Sequence, residues 1–158
     1  MPGLLITLIG VVVVVAVAIA AAVFLGVRAK VPLAIDALRR FSRLFNPLSM
    51  RTAGTPGANS SVIRHRGRTS GRAYATPVDA VATEDGFVIA LPYGSRSNWL
   101  RNVLAIGSAT IVNDGHEHRV DRPELLPIEV VADRFSPSDR RSHRLFKVDQ
   151  CLIVRRAA

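Results

Sequence analysis

A long uncharged run near the start of the chain constrains the fold more than any other feature. Leu4 to Val27 contains no charged residue. As a helix rising about 1.5 Å per residue, some 24 residues would cross a hydrocarbon core roughly 30 Å thick. The run therefore predicts a transmembrane anchor within residues 1–30, separate from any globular domain.

A cleaved signal peptide is the other interpretation of this run. Signal peptides carry basic residues before a shorter apolar core, whereas no Lys or Arg precedes Leu4. Basic residues follow the run instead, beginning with Arg28 and Lys30. By the positive-inside rule, we expect an uncleaved single-pass anchor in the cytoplasmic membrane, with the C-terminal domain in the cytoplasm.

The charge of the remaining chain bears on its partners. All 21 Lys and Arg and all 12 Asp and Glu follow the apolar run, so the formal net charge of +9 belongs to that part. Such a charge suits nucleic acid or anionic lipid headgroups. Aromatic residues make up only 6% and no nucleic-acid recognition motif is present. We therefore expect no nucleic-acid partner, and anionic lipid remains possible.

The cysteine and the histidines offer little reactive chemistry. Cys151 cannot form an internal disulfide because it is the only cysteine, and its apolar context predicts a buried structural thiol in a reducing compartment. His116 and His118 share one face of a predicted strand but lack a third ligand. His65 and His143 are isolated. We expect no metal site.

The segment after the apolar run, residues 31–59, is predicted to be a helix and a linker. Leu38, Phe41 and Phe45 recur at three- and four-residue steps, which predicts an amphipathic helix from Leu33 to Phe45. Asn46-Pro47 is expected to end it. Ser49 to Asn59 is rich in Gly, Ala, Thr and Pro and predicts a linker or loop.

Residues 60–158 have a mainly β pattern with two helices. Ser97 and Gly107 bound one predicted helix, Asn98 to Ile106, and Ser136-Pro137 starts another that ends at Phe146. Because most strands are joined by hairpins, we expect an antiparallel barrel-like sheet with helices at its rim. The predicted strands are Ser60–Arg66, Ala73–Thr83 with a bend near Pro77, Phe87–Leu91, Ala109–Asn113, His116–Asp121, Leu125–Val131 and Cys151–Arg155.

A turn between the first two predicted strands concentrates positive charge. The stretch Arg64–Arg72 contains four arginines. Gly67 and Gly71 permit the positive φ angles of a tight reversal, and Thr69 and Ser70 supply hydroxyl and backbone N–H groups. A reversal of this kind could bind a phosphate or carboxylate. A solvated basic hairpin is the alternative.

Two segments of the chain form a recognisable pair. One is Gly67-Arg68-Thr69-Ser70-Gly71-Arg72 followed by Thr76-Pro77-Val78. The other is Tyr93-Gly94-Ser95 followed by Asn98-Trp99-Leu100-Arg101-Asn102-Val103-Leu104-Ala105. Together they resemble the deazaflavin-dependent nitroreductase family, whose pattern is Gly-Arg-Lys-Ser/Thr-Gly, Thr/Asn-Pro-Leu, a glycine loop and Trp-x-x-Asn-Leu-x-Ala. The resemblance extends from about Ser60 to the end of the chain.

The resemblance implies a split β-barrel of six to seven antiparallel strands that binds coenzyme F-420. This cofactor is an 8-hydroxy-5-deazaflavin with a phosphate-linked polyglutamate tail, and a flavin is the alternative. The implied activity is hydride transfer to a small-molecule acceptor. Because the anchor points to the membrane, we expect a lipophilic acceptor such as a quinone, enone or nitro compound. A homodimer is possible by the same resemblance.

The implied cofactor site has two parts. The glycine-arginine hairpin would hold the anionic tail, while the loop Pro92–Ser95 and the start of the next helix would line the ring. Trp99 and Asn102 would fix that helix against the site. The complete predicted set is Arg66, Arg68, Thr69, Ser70, Gly71, Arg72, Tyr74, Pro77, Pro92, Tyr93, Gly94, Ser95, Trp99 and Asn102.

The chain departs from the family pattern at three positions. Thr69 stands where a lysine is usual, Tyr74 where a second arginine is common, and Tyr93 where a lysine or a small polar residue is frequent. Each missing charge-assisted contact is worth about 1.5–3 kcal/mol. Three neighbouring cations could take over this role: Arg66, Arg72 and Arg96.

The tyrosines and the helix residues each have a structural alternative. Tyr93 is the predicted catalytic hydroxyl near the ring, and Tyr74 is second. Either could instead be an amphipathic tyrosine at the barrel mouth. Trp99 could belong to the core, and Asn102 could bond the backbone of the loop it faces.

Three functions therefore remain open from the sequence. The first is a membrane-anchored, F-420-dependent oxidoreductase. The second is a non-catalytic binder of a flavin, haem or fatty acyl ligand. The third is a structural protein that holds anionic lipid headgroups at the membrane surface.

Overall fold

The computed structural model describes residues 2–158, without the side chains of residues 2–5, 39 and 41–46. The chain divides into two compact units after residue 41. The helices are α1 (Pro2–Arg28), α2 (Pro32–Ser49), α3 (Asn98–Ile106), a 3-10 helix (Ile128–Arg134) and α4 (Pro137–Leu145). The strands are β1 (Ser61–Arg66), β2 (Ala73–Val78), β3 (Ala80–Ala82), β4 (Gly86–Ala90), β5 (Ser108–Asn113), β6 (His116–Pro127) and β7 (Gln150–Arg156).

The first unit contains α1 and the start of α2. Within the described residues, Ile6–Arg28 is the one helix long and apolar enough to cross a membrane, judged by length and composition. A tight turn follows it, with Lys30 at φ 57°. At Gly26, an added Cβ would lie 2.6 Å from the Ala34 Cβ, so glycine permits the close approach of the two helices there.

Helix α2 is longer than the pattern predicted. It contains Pro47 and continues to Ser49 instead of ending at Asn46-Pro47. Proline removes one backbone donor, but its fixed φ suits a helix, so it does not have to end one. The side chains of Phe41 and Phe45, which belong to the predicted apolar face, are outside the described set.

The segment after α2 is an ordered loop. The Gly54 N–H donates to the Ser60 carbonyl at 2.7 Å, and the Gly115 N–H donates to the Gly54 carbonyl at 2.6 Å. The Gly57 N–H also donates to Asp114 Oδ1 at 2.8 Å. The predicted linker is therefore hydrogen-bonded to the turn between β5 and β6.

The seven strands form one antiparallel sheet in the order β2-β1-β5-β6-β7-β4-β3. The outermost strands β2 and β3 are separated in sequence only by Asp79. Since two residue steps span roughly 7 Å at most, the sheet must curl until its two edges approach at that end. The predicted split β-barrel is confirmed. The single predicted strand Ala73–Thr83 is wrong, because it breaks at Asp79.

Both faces of the sheet are covered. One face and α3 share the larger core cluster, which includes Phe87, Ile89, Leu100 and Val103. The opposite face packs a smaller cluster, in which Cys151 is fully buried. Alternation along β4 explains the division, since successive side chains point to opposite faces. The predicted buried, structural position of Cys151 is found.

The segment after β6 differs from its prediction. β6 continues to Pro127, and residues 128–131 then belong to the 3-10 helix instead of the predicted strand Leu125–Val131. Ile128 and Val131 both point into the smaller cluster. The backbone is kinked at Val131 (φ −126°, ψ 20°), and both side chains reach the same cluster across this kink. The run of apolar residues had looked like a strand.

The boundaries of α3 and α4 were well predicted. α3 spans Asn98–Ile106, and Gly107 follows it at φ 78°. α4 begins at Pro137 after a capping box: the Asp139 N–H donates to Ser136 Oγ at 3.1 Å, and the Ser136 N–H donates to Asp139 Oδ2 at 3.3 Å. Ser97 takes the N-cap position of α3, but its hydroxyl makes no capping hydrogen bond.

Candidate functional site

The basic turn connects β1 to β2 at an exposed end of the sheet. The Gly67 N–H donates to the Arg72 carbonyl, and the Gly71 N–H donates to the Gly67 carbonyl, each at 2.8 Å. Gly71 has φ 65°, as predicted for a glycine in this reversal. Thr69 and Ser70 are exposed between them. The tip therefore presents hydroxyl and backbone groups to solvent.

Three arginines of this turn keep their charge uncompensated. In the described part of the chain, no carboxylate lies within ion-pair distance of Arg66, Arg68 or Arg72, and all three are exposed. Arg66 donates to the Gly71 carbonyl at 3.4 Å. Arg64 differs, because it forms an ion pair with Glu117. The turn can therefore attract an anion.

Asn102 attaches this turn to α3. Its Oδ1 accepts the Arg68 backbone N–H at 3.2 Å and the Arg68 guanidinium at 2.9 Å. Asn102 is 6% exposed. A neutral carboxamide fixes the direction of a guanidinium without cancelling its charge. The predicted contact between Asn102 and a loop backbone is therefore present in the structure, and its target is the basic turn.

His65 also belongs to this site, although the sequence pattern predicted no partner for it. Asn102 Nδ2 lies 3.3 Å from His65 Nδ1, and His65 Nε2 lies 3.4 Å from Thr76 Oγ1. Burial lowers the pKa of His65, and a contact with the Arg66 backbone opposes this in part. Alternation along β1 could have indicated that His65 shares the inward face of Ile63.

Tyr74 lies over this cluster. Its ring stacks on His65, with centroids 5.7 Å apart and an angle of 19° between planes. Its hydroxyl is 3.5 Å from Ser70 Oγ. An added Cβ at Gly67 would approach both Ser70 Oγ, at 2.5 Å, and Tyr74 Cε2, at 2.9 Å. Gly67 is therefore required by close packing and not by a positive φ.

The loop between β4 and α3 contains the other predicted residues. Burial, followed by the nearby Asp79 carboxylate, raises the pKa of Tyr93. Its phenol therefore stays protonated at neutral pH. Among the described residues, Ser97 Oγ is the one buried side-chain oxygen or nitrogen without a hydrogen bond. This hydroxyl is closed off from solvent, so it remains an unsatisfied polar group at the start of α3.

The remaining predicted residues have simpler environments. Trp99 packs against the larger core cluster, which agrees with its structural alternative. Pro77 pairs with Val62 in the β1–β2 ladder. Pro92, Gly94 and Ser95 are partly exposed in their loop. The hydrogen bonds described above join the basic turn to α3.

Two other features lie apart from these residues. A groove of about 430 Å³ lies between the 3-10 helix and α4, and none of the predicted site residues lines it. The described residues contain no group of three His, Cys, Asp or Glu side chains that could hold a metal ion. His118 instead lies against the Phe87 ring, with centroids 5.2 Å apart.

No family model and no curated protein matches the chain. Among solved structures, it is similar to a reductase that depends on reduced coenzyme F-420 (FDR-A), with 13% identity, a TM-score of 0.45, and coverage of 61% of this chain and 93% of that chain. It is also similar to HutZ, a heme storage protein from Vibrio cholerae, with 10% identity, a TM-score of 0.44, and coverage of 65% and 84%.

A third similar structure is an FMN-binding protein from Syntrophomonas wolfei, with 13% identity, a TM-score of 0.41, and coverage of 77% and 91%. At these identities, the likeness is one of fold.

Proposed function

We propose that the chain is an oxidoreductase that uses coenzyme F-420 and holds the anionic tail of the cofactor on the basic turn. The observation that carries the proposal is the pair of hydrogen bonds from Arg68 to Asn102. They tie the turn to α3, so the tail site and the helix that would border the ring are parts of one rigid arrangement. Arg68 and Asn102, the two ends of this contact, both match the family pattern of the resemblance.

The donor groups of the turn fit a phosphate or carboxylate. Arg66, Arg68 and Arg72 supply three uncompensated charges, and guanidinium groups bind such anions with two parallel hydrogen bonds. Thr69 replaces the usual lysine, but its exposed hydroxyl and backbone remain donors.

The cofactor, when bound, supplies hydride transfer. The chain would orient the ring against the acceptor, exclude water and hold a proton. Tyr93 suits the last role, because burial and Asp79 raise the pKa of its phenol and keep the hydroxyl protonated. Tyr74 is less suitable, since its ring stacks on His65 and its hydroxyl approaches Ser70.

The first unit supports the proposed acceptor class and location. Apolar side chains of α1 such as Val12, Val14 and Ile19 are at least 60% exposed, and a lipid bilayer would cover them. We propose a single-pass anchor with the barrel in the cytoplasm. A tethered site has access to lipophilic acceptors dissolved in the membrane, such as quinones, enones and nitro compounds. The same proposal includes two further partners. Anionic lipid headgroups would lie beside the basic residues, and a second copy of the chain would form a homodimer.

Fluorescence titration of the full chain in detergent with coenzyme F-420 tests the proposal. We expect micromolar binding that weakens with salt, and about tenfold weaker binding for Arg72→Gln. Arg141→Gln, an exposed arginine on α4, is the control and should bind as wild type does. A deazaflavin without phosphate and tail should show little salt dependence. No binding of either compound by the folded wild type would refute the proposal.

A non-catalytic binder of a flavin, haem or acyl ligand is the second candidate. Its support is the loss of cations at Thr69, Tyr74 and Tyr93, which would weaken tail binding. Oxidation of reduced coenzyme F-420 by a quinone or nitro acceptor, catalysed by the full chain, distinguishes the two. A bound chromophore that co-purifies without any turnover would favour the binder.

A further inference from the structure

We infer that His65 is a positioning residue that holds Arg68 in its anion-binding position only while the imidazole is neutral. The inference rests on the proposed function for its effect on cofactor binding, but the contact itself exists without cofactor. Its basis is the chain of polar contacts from Arg68 through Asn102 to His65 and Thr76.

The orientation of the Asn102 carboxamide follows from its partners. The Arg68 backbone N–H and guanidinium can only donate hydrogen bonds, so the atom that meets both must be the oxygen. The amide nitrogen must then face His65 Nδ1, 3.3 Å away. No alternative placement of the carboxamide satisfies both neighbours.

The tautomer of His65 follows in turn. Because the Asn102 NH2 group donates, His65 Nδ1 must carry a lone pair, and the imidazole proton resides on Nε2. Nε2 then faces Thr76 Oγ1 at 3.4 Å, an oxygen that can accept this proton. The groups around the ring are Tyr74 and Thr76 from β2, Asn102 from α3, and the cationic Arg68 beyond it. The Arg66 backbone on β1 also contacts the ring and raises the pKa of His65, against the larger, opposite effect of burial.

Protonation of His65 breaks this arrangement. A proton on Nδ1 would point at the NH2 group of Asn102, so two donors would face each other. If Asn102 turned over to accept that proton, its NH2 group would face the two donors of Arg68. If it moved away, its bonds to Arg68 would lengthen. In either case Arg68 loses the oxygen that fixes its direction.

Nuclear magnetic resonance of the full chain in detergent tests the contact without any cofactor. We expect the Arg68 backbone amide and guanidinium resonances to shift with pH at the same midpoint as His65. In Asn102→Asp, a carboxylate can accept from protonated His65 and from Arg68 together. The His65 midpoint should therefore rise by at least about one unit, and the Arg68 resonances should no longer follow it.

Cofactor binding provides the functional test. Affinity of wild type for coenzyme F-420 should fall about tenfold as the pH drops through the His65 midpoint. His65→Phe, which keeps an aromatic ring against Tyr74, should show no such step, and the tail-free deazaflavin should show none with wild type. Wild type with a pH-independent affinity, or Arg68 resonances that ignore the His65 titration, would overturn the inference.

The two proposals can fail separately. If wild type binds no deazaflavin at any pH while Arg68 still follows His65, the proposed function is wrong and the positioning role of His65 stands. If it binds tightly and Arg68 does not follow His65, the positioning role is wrong and the proposed function stands.

Discussion

Replacement of Gly67 by alanine tests the packing beneath the basic turn. The added methyl group would lie 2.5 Å from Ser70 Oγ and 2.9 Å from Tyr74 Cε2, both below the 3.4 Å where ordinary van der Waals contact begins. Ser70 would have to rotate, and the Tyr74 ring would have to shift away from His65. Both movements disturb the part of the turn that is proposed to bind the anion.

The magnitude follows from two opposing effects. Overpacking costs about 1–3 kcal/mol, whereas a compatible Gly→Ala change stabilises by about 0.4–1 kcal/mol through the unfolded chain. Ser70 and Tyr74 are exposed and can yield, but both must move at once, so the cost is taken at about 2 kcal/mol, the middle of that range. We therefore expect Gly67→Ala to lower the free energy of unfolding by about 1 kcal/mol.

Urea unfolding followed by the fluorescence of Trp99 provides the assay, because this single tryptophan packs against the larger core cluster. The same change in a Ser70→Ala background should cost about half as much, since the nearer obstacle is gone. Salt-dependent anion binding should weaken in the single variant. A Gly67→Ala protein as stable as wild type, or an equal loss in both backgrounds, would refute the reasoning.

Three further predictions concern stability and reactivity. Asn102→Leu should lower the free energy of unfolding by about 2–4 kcal/mol. The control, Asn98→Leu at the exposed start of the same helix, should lower it by less than about 0.5 kcal/mol. Equal urea midpoints for the two variants would contradict this prediction. Cys151 is fully buried, and burial raises the pKa of its thiol. A thiol reagent should therefore modify the native protein roughly 100-fold more slowly than the unfolded protein. Equal rates would argue against the burial of this thiol. Burial lowers the pKa of His65 and His143, so below a pH of about 6.5 the unfolded chain binds more protons at these histidines than the folded chain does. The free energy of unfolding should therefore fall on acidification toward the folded-state pKa values. A rise over this range would contradict the prediction.

Much of the local structure was predictable because neighbouring residues specify it. Ser97 and Gly107 delimit α3, and Ser136-Pro137 starts α4 with a capping box that the structure contains. The glycines of the basic turn likewise indicated a reversal. Such signals act over a few residues through backbone angles and local hydrogen bonds, and so they can be read along the chain.

Errors arose where packing overrides local preference. The apolar residues after β6 looked like a strand, yet the chain there forms a kinked 3-10 segment that buries Ile128 and Val131 in the smaller cluster. The run Ala73–Thr83 looked continuous, yet it divides at Asp79 into strands at opposite edges of the sheet. Neither outcome has a local cause, because each depends on which distant strands lie alongside.

The candidate site shows the same division. The arginines and glycines of the turn, and the identity of Asn102 as a residue of α3, were visible in the order of residues. The contact of Asn102 with Arg68 and His65 was not, because it joins residues 34 and 37 positions apart. Only the curled sheet brings α3 against β1. Side-chain hydrogen bonds reach about 3 Å, so which donors and acceptors meet depends on the packed fold and not on their spacing in the chain.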